Sequence, residues 1–154
     1  MTSGDTRLYF AYGSNMDPEQ MRDRCSEATR AGRAALLGHR FLINSRGVAT
    51  VAPAPYGQVW GVLWNVTERD LESLDRYEGV RAGLYSRAVV EVLTERGPVQ
   101  AIMYVAADDT DGTPRGNYLG RIVMAAQAGD LPGEYVEQTL RACARPEPRT
   151  APGT

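Results

Sequence analysis

Leu8-Tyr9-Phe10-Ala11-Tyr12-Gly13-Ser14-Asn15-Met16-Asp17-Pro18-Glu19-Gln20-Met21 reads as a buried strand, a glycine turn and the start of a helix. Leu8 to Tyr12 is short, apolar and aromatic, as a core strand should be. Gly13 offers a backbone conformation that a residue with a Cβ resists. Asp17 suits an N-cap, Pro18 the first helical position, and Gln20 closes a capping box three residues on. Met16 and Met21 occupy the two positions of a hydrophobic staple. The N–H groups of Gly13, Ser14 and Asn15 therefore gather near a helix N-terminus, a setting that attracts a carboxylate or phosphate. A turn of this kind also occurs with nothing bound, so the stretch needs a second feature before it speaks of chemistry.

Outward from this turn, the 154 residues suit one domain with a real core, over 1–144, followed by a Pro/Thr/Gly-rich tail, 145–154, read as disordered. A formal net charge of −2 and no basic stripe give no case for nucleic acid. No apolar run reaches membrane-spanning length, and the first residues show no signal-peptide pattern. Two cysteines, Cys25 and Cys143, are too few for a disulfide framework and read as reduced, buried thiols of a cytoplasmic protein. All 17 Lys+Arg residues are arginine, which excludes Schiff-base catalysis and a P-loop lysine. A single histidine, His39, argues against a multi-histidine metal site and a serine triad around Ser14. Chemistry must then rest on carboxylates, tyrosines, hydroxyls or backbone donors.

Along the chain we expect a helix over Pro18 to Cys25, a loop to Gly32, and a long bent strand over Ala34 to Asn44. A short strand from Gly47 is ended by Pro53-Ala54-Pro55, and another runs from Gln58 to Val66 with Trp60, Val62, Trp64 and Val66 on its core face. Thr67 caps a second helix to Glu78, stopped by Gly79. Tyr85 to Arg96 and Val99 to Ala107 form a hairpin. Asp108 to Gly112 is a polar loop. Thr113-Pro114 opens a third helix to Ala128, and Leu131-Pro132 a fourth to Cys143. Strands and helices do not alternate regularly, so the fold class is α+β, and the two-tryptophan face of the Gln58–Val66 strand suits the wall of a small barrel.

On the second helix, Leu71 and Leu74 define the inward face, and Glu78 falls on the same face. An acid there must be paired, desolvated or functional. Its place at a helix C-terminus adds to the upward pressure on its pKa, toward the range of a general base. The alternative is a frayed helix end that carries Glu78 to the surface, or to Arg81 or Arg87.

Tyr12-Gly13-Ser14-Asn15, Leu74-Asp75-Arg76-Tyr77-Glu78-Gly79-Val80 with Gly83-Leu84-Tyr85, Asn117-Tyr118 and Leu131-Pro132-Gly133-Glu134-Tyr135 together resemble the γ-glutamylcyclotransferases in order and spacing, from about Leu8 to about Ala142. The resemblance implies a small mixed β-barrel-like sheet flanked by helices, no cofactor and no metal. It implies release of 5-oxoproline and an amine from a γ-glutamyl amide. By position Glu78 corresponds to the family's catalytic glutamate, Tyr12, Gly13, Ser14 and Asn15 to its substrate-cradling loop, and Tyr85 and Tyr118 to its supporting tyrosines. By their residue type alone, both tyrosines are as well read as core packing. A related enzyme removing a γ-glutamyl protecting group from a natural-product amine, and a non-catalytic module for a carboxylated metabolite, are the alternative readings. The expected partner is a small γ-glutamyl substrate rather than nucleic acid or membrane. Ser26 to Tyr56 matches no motif and is where selection of the leaving group is expected.

Overall fold

The computed structural model describes residues 5–144, so the expected disordered tail lies outside the described residues. The order is β1 (Arg7–Ala11), a 3-10 turn (Ser14–Met16), α1 (Pro18–Arg24), β2 (Thr29–Ile43), β3 (Ala49–Val66), α2 (Glu68–Tyr77), β4 (Tyr85–Thr94), β5 (Gly97–Ala106), α3 (Tyr118–Ala128) and α4 (Gly133–Tyr135). The α4 winding continues as a π turn (Val136–Leu140) and a 3-10 turn (Arg141–Ala144). The strands close into a barrel in the order β1-β3-β2-β4-β5. All pairings are antiparallel except β1 with β5, which meet in parallel at Tyr9 and Ile102. The α+β class and barrel wall expected from the sequence are thus found, with complete closure. No helix is long and apolar enough to cross a membrane among the described residues.

Several local expectations are corrected. The segment read as a loop to Gly32 already pairs, since β2 begins at Thr29 opposite Asn65. The prolines do not end a strand. Instead β3 runs through them, and the ladder skips from His39–Pro53 to Leu37–Gln58, so residues 54–57 stand out from the sheet. Pro55 lies in that bulge and has no ladder bond to lose, whereas Pro53 still sits opposite His39. Both faces of residues 59–66 are covered, with Val59 and Leu63 as buried as Val62 and Trp64, because one face fills the barrel and the other is overlaid. Pro98 lies inside β5 opposite Leu93, leaving Glu95-Arg96 as the hairpin turn. Helix α3 starts at Tyr118, not at Pro114. Residues 113–115 pack over the β2–β3 turn, where the Arg115 N–H donates to the Gly47 carbonyl.

Helix α2 agrees closely with the expectation. Thr67 Oγ1 accepts from the Asp70 N–H while Asp70 accepts from the Thr67 N–H, closing a capping box, and Leu71 and Leu74 are fully buried. Gly79 follows at φ +68°, a conformation that favours glycine and ends the helix there. Met16 and Met21 are both buried, as a staple requires. The Asp17 box does not form: Asp17 accepts from the Glu19 N–H, and the Gln20 amide turns elsewhere.

Candidate functional site

Strand β1 and the turn after it, the start of β3, the end of α2, strands β4 and β5, and the first turn of α3 converge on one cavity. It is lined by Tyr9, Tyr12, Gly13, Ser14, Asn15, Ala49, Glu78, Tyr85, Tyr104 and Tyr118. All seven residues expected to form the site are therefore brought together. Tyr9, Ala49 and Tyr104 are additions.

Asn15 is the hub. It is 4% exposed and every polar atom of its side chain is used. Its Nδ2 donates to the Tyr9 hydroxyl at 2.9 Å and lies 3.4 Å from Glu78 Oε2. Its Oδ1 accepts from Gln20 Nε2 at 2.8 Å and from Arg24 Nη1 at 3.1 Å. Trp64 Nε1 donates to its carbonyl at 3.0 Å. Gln20 also donates to Ser14 Oγ at 2.7 Å, which is where the amide expected in a capping box has gone. Gln20 and Arg24 lie four residues apart on one face of α1, so the helix aims both at the turn.

Glu78 caps the C-terminus of α2, its N–H bonded to the Leu74 carbonyl at 2.8 Å. Its side chain is 17% exposed. Burial pushes its carboxyl above the ordinary range, and the Arg24 guanidinium, 4.0 Å from Oε2, works against that push. The cation that meets it is thus Arg24, neither Arg81 nor Arg87. Arg87 is taken by Asp75, through Nε at 2.9 Å and Nη2 at 2.7 Å.

The tyrosines differ in what their hydroxyls have left to give. Tyr85 donates to the Ala49 carbonyl at 2.6 Å, whereas Tyr118 accepts from the Ala49 N–H at 3.1 Å and keeps its proton. Tyr12 donates to the Tyr104 carbonyl, and Tyr104 donates to Asp75 at 2.7 Å. Burial raises the pKa of all five cavity phenols, so each is a neutral donor or acceptor. The N–H groups of Gly13, Ser14 and Asn15 make no hydrogen bond among the described residues, while the next two bond back to Gly13 and Ser14.

Gly13 keeps a negative φ of −120°. A Cβ there would stand 3.3 Å from Ala49 Cβ and 3.6 Å from the Tyr118 hydroxyl, inside the cavity. Tyr9, read from the sequence as core alone, is buried yet turns its hydroxyl to Asn15. Its aromatic neighbour Tyr104 reaches the cavity only because β5 closes against β1, a pairing without a local signal.

Among the described residues no group of three or more His, Cys, Asp or Glu side chains is placed to hold a metal ion. The cavity therefore combines one carboxylate beside a guanidinium, spare main-chain donors and two phenols, Tyr9 and Tyr118, whose protons are unspent. Such a set can accept a proton, hand it on and steady a negative oxygen.

A profile of the AIG2-like family matches residues 58–139. The chain is 32% identical over 146 residues to Gamma-glutamylcyclotransferase of Mus musculus, covering 88% of this chain and 78% of that one. It is 34% identical over 142 residues to Gamma-glutamylcyclotransferase of Homo sapiens, covering 85% and 76%. A solved structure described as Gamma-glutamyl cyclotransferase superposes with a TM-score of 0.85 at 31% identity, over 94% of this chain and 92% of the other.

Proposed function

We propose that this chain, which belongs to the γ-glutamylcyclotransferase family, converts a γ-glutamyl amino acid or amine to 5-oxoproline and the free amine, with Glu78 as the proton carrier. The observation that carries the reading is the Glu78 carboxylate, 17% exposed and set in the same cavity as the loop Gly13–Asn15.

The substrate α-carboxylate is taken by the unused N–H groups of that loop. Glu78 removes a proton from the α-ammonium. The freed amine attacks the γ-carbonyl carbon of the same molecule, making a tetrahedral centre with a negative oxygen. Tyr118 suits that oxygen, since its proton is unspent, while Tyr85 holds the Ala49 backbone in place. Glu78 returns its proton to the departing nitrogen as the old C–N bond breaks, takes the second proton of the ring nitrogen, and passes it to the freed amine, ending as the carboxylate it began. Two protons thus leave the attacking nitrogen and two reach the leaving amine. Intramolecular attack needs no enzyme nucleophile; alignment of reacting atoms is worth up to about 7–11 kcal/mol. A general base set above the usual carboxylate range accepts an ammonium proton more readily than a surface glutamate does.

Glu78→Gln is the test. Turnover of γ-glutamyl compounds to 5-oxoproline should fall by about 10²- to 10⁴-fold, the usual worth of a general base, while 5-oxoproline still binds. A wild-type protein that binds γ-glutamyl compounds without turning over any of them is a binding module, and the proposal fails. Turnover confined to a bulky γ-glutamyl amine within a substrate panel identifies a deprotecting enzyme instead.

A further inference from the structure

One cation beside this site has no part in the steps above. Arg24, at the last turn of α1, does not line the cavity, but it approaches two residues that do, Asn15 and Glu78. Its Nη1 donates to Asn15 Oδ1 at 3.1 Å and lies 4.0 Å from Glu78 Oε2. Its guanidinium lies over the Tyr77 ring, 4.3 Å from the centroid, and its side chain is only 23% exposed. Its carbonyl accepts from Ser73 Oγ at 2.6 Å, which ties α1 to α2 at this level.

The other titratable groups at the cavity are phenols: Tyr9 and Tyr12 at the end of β1, Tyr85 on β4, Tyr104 on β5 and Tyr118 on α3. All are neutral, and the Glu78 charge itself helps to keep Tyr9, Tyr12, Tyr85 and Tyr118 protonated. Asp75, on the same helix, is occupied by Arg87 and Tyr104. Arg24 is therefore the positive charge acting on Glu78 among the described residues.

We propose that Arg24 is a positioning residue for the reaction: clamped by Asn15 and the Tyr77 ring, it holds Glu78 as an anion in place at the cavity. The proposal rests on the reading of Glu78 as general base. A carboxylate this buried drifts toward its neutral acid unless a cation stands beside it, and a neutral acid cannot accept the ammonium proton. The same positive charge disfavours a second cation nearby, so the substrate ammonium also gives up its proton more easily.

Arg24→Met, Arg24→Gln and Arg24→Lys test this, with two readouts. In kcat/KM against pH, the acid limb of Arg24→Met should move up by about 1–2 pH units, the usual effect of an adjacent opposite charge. At neutral pH kcat should fall more than KM changes, and Arg24→Lys should recover most of both the rate and the limb position. The ¹³C titration of the Glu78 side-chain carboxyl should move the same way, and it does not depend on turnover. A limb and a ¹³C midpoint unmoved in the Met variant, or in the Gln variant should Met fail to fold, would overturn the proposal and leave Arg24 a structural tie. If wild type turns over no γ-glutamyl compound, the general-base reading falls, while the ¹³C titration still decides whether Arg24 holds the Glu78 charge.

Discussion

Glu78 and Asp75 lie within one turn at the end of α2, and their surroundings act on them in opposite directions. Burial raises the Glu78 carboxyl despite Arg24, so its charge costs the folded state free energy. Stability from this group is complete below the ordinary carboxylate pKa of about 4.3 and is lost as pH rises through the folded value. Glu78→Gln should therefore melt higher than wild type at pH 7, with the difference closing near pH 4, while losing turnover; thermal unfolding at the two pH values checks this. For Asp75, burial also acts upward, but hydrogen bonds from Arg87 and Tyr104 outweigh it and hold the carboxyl below its usual range. Its stabilisation is present above about pH 3.9 and fades as pH falls through the lower folded value. Asp75→Asn should then unfold at lower urea than wild type at pH 7, and the gap should shrink in acid. On the proposed function, Gly13→Ala sets a methyl in the substrate's path, 3.3 Å from Ala49 Cβ, so KM should rise by about 10- to 100-fold with little change in melting. The inward place of Glu78 was legible from Leu71 and Leu74. Its partner was not, because Arg24 belongs to another helix and nothing local pairs the two.

Elements delimited by their own residues were read well. Helix α2 carries its capping box, its buried stripe and its glycine stop within a single stretch, and β4–β5 carries its turn. Thr67→Ala removes the acceptor of the Asp70 N–H at 3.1 Å and should cost about 1 kcal/mol, read from urea unfolding. Gly79→Ala should cost about 1 kcal/mol or more, since φ is +68° and a Cβ would stand 2.9 Å from Leu84 Cδ1. Because Gly79 follows Glu78, the same change should also depress kcat. Elements delimited by distant partners were misread. Thr113-Pro114 looks like a helix opening, yet Arg115 is held by the β2–β3 turn through its N–H to Gly47 and its Nε to the Arg46 carbonyl. Likewise Pro53 and Pro55 look like a stop, yet the ladder resumes beyond them.

At the scale of the molecule, a barrel-like sheet was expected, but the two seams that close it were not. Long hairpins join β2 to β3 and β4 to β5, but β2 meets β4 at the single register pair Ala35–Leu93, and β1 meets β5 at Tyr9–Ile102. These two seams have no turn to announce them, and the second places Tyr104 in the cavity. Backbone amides facing the β2–β4 seam should exchange with deuterium sooner than those between β4 and β5, because fewer ladder bonds must open. The blister at residues 54–57 has a practical consequence. From Pro53 to Gln58 the chain departs from its neighbour and rejoins it, and Tyr56 at the crest is 102% exposed. An epitope or short reporter peptide spliced between Pro55 and Tyr56 should ride on the barrel wall without disturbing the staves on either side, leaving yield and melting temperature those of the parent.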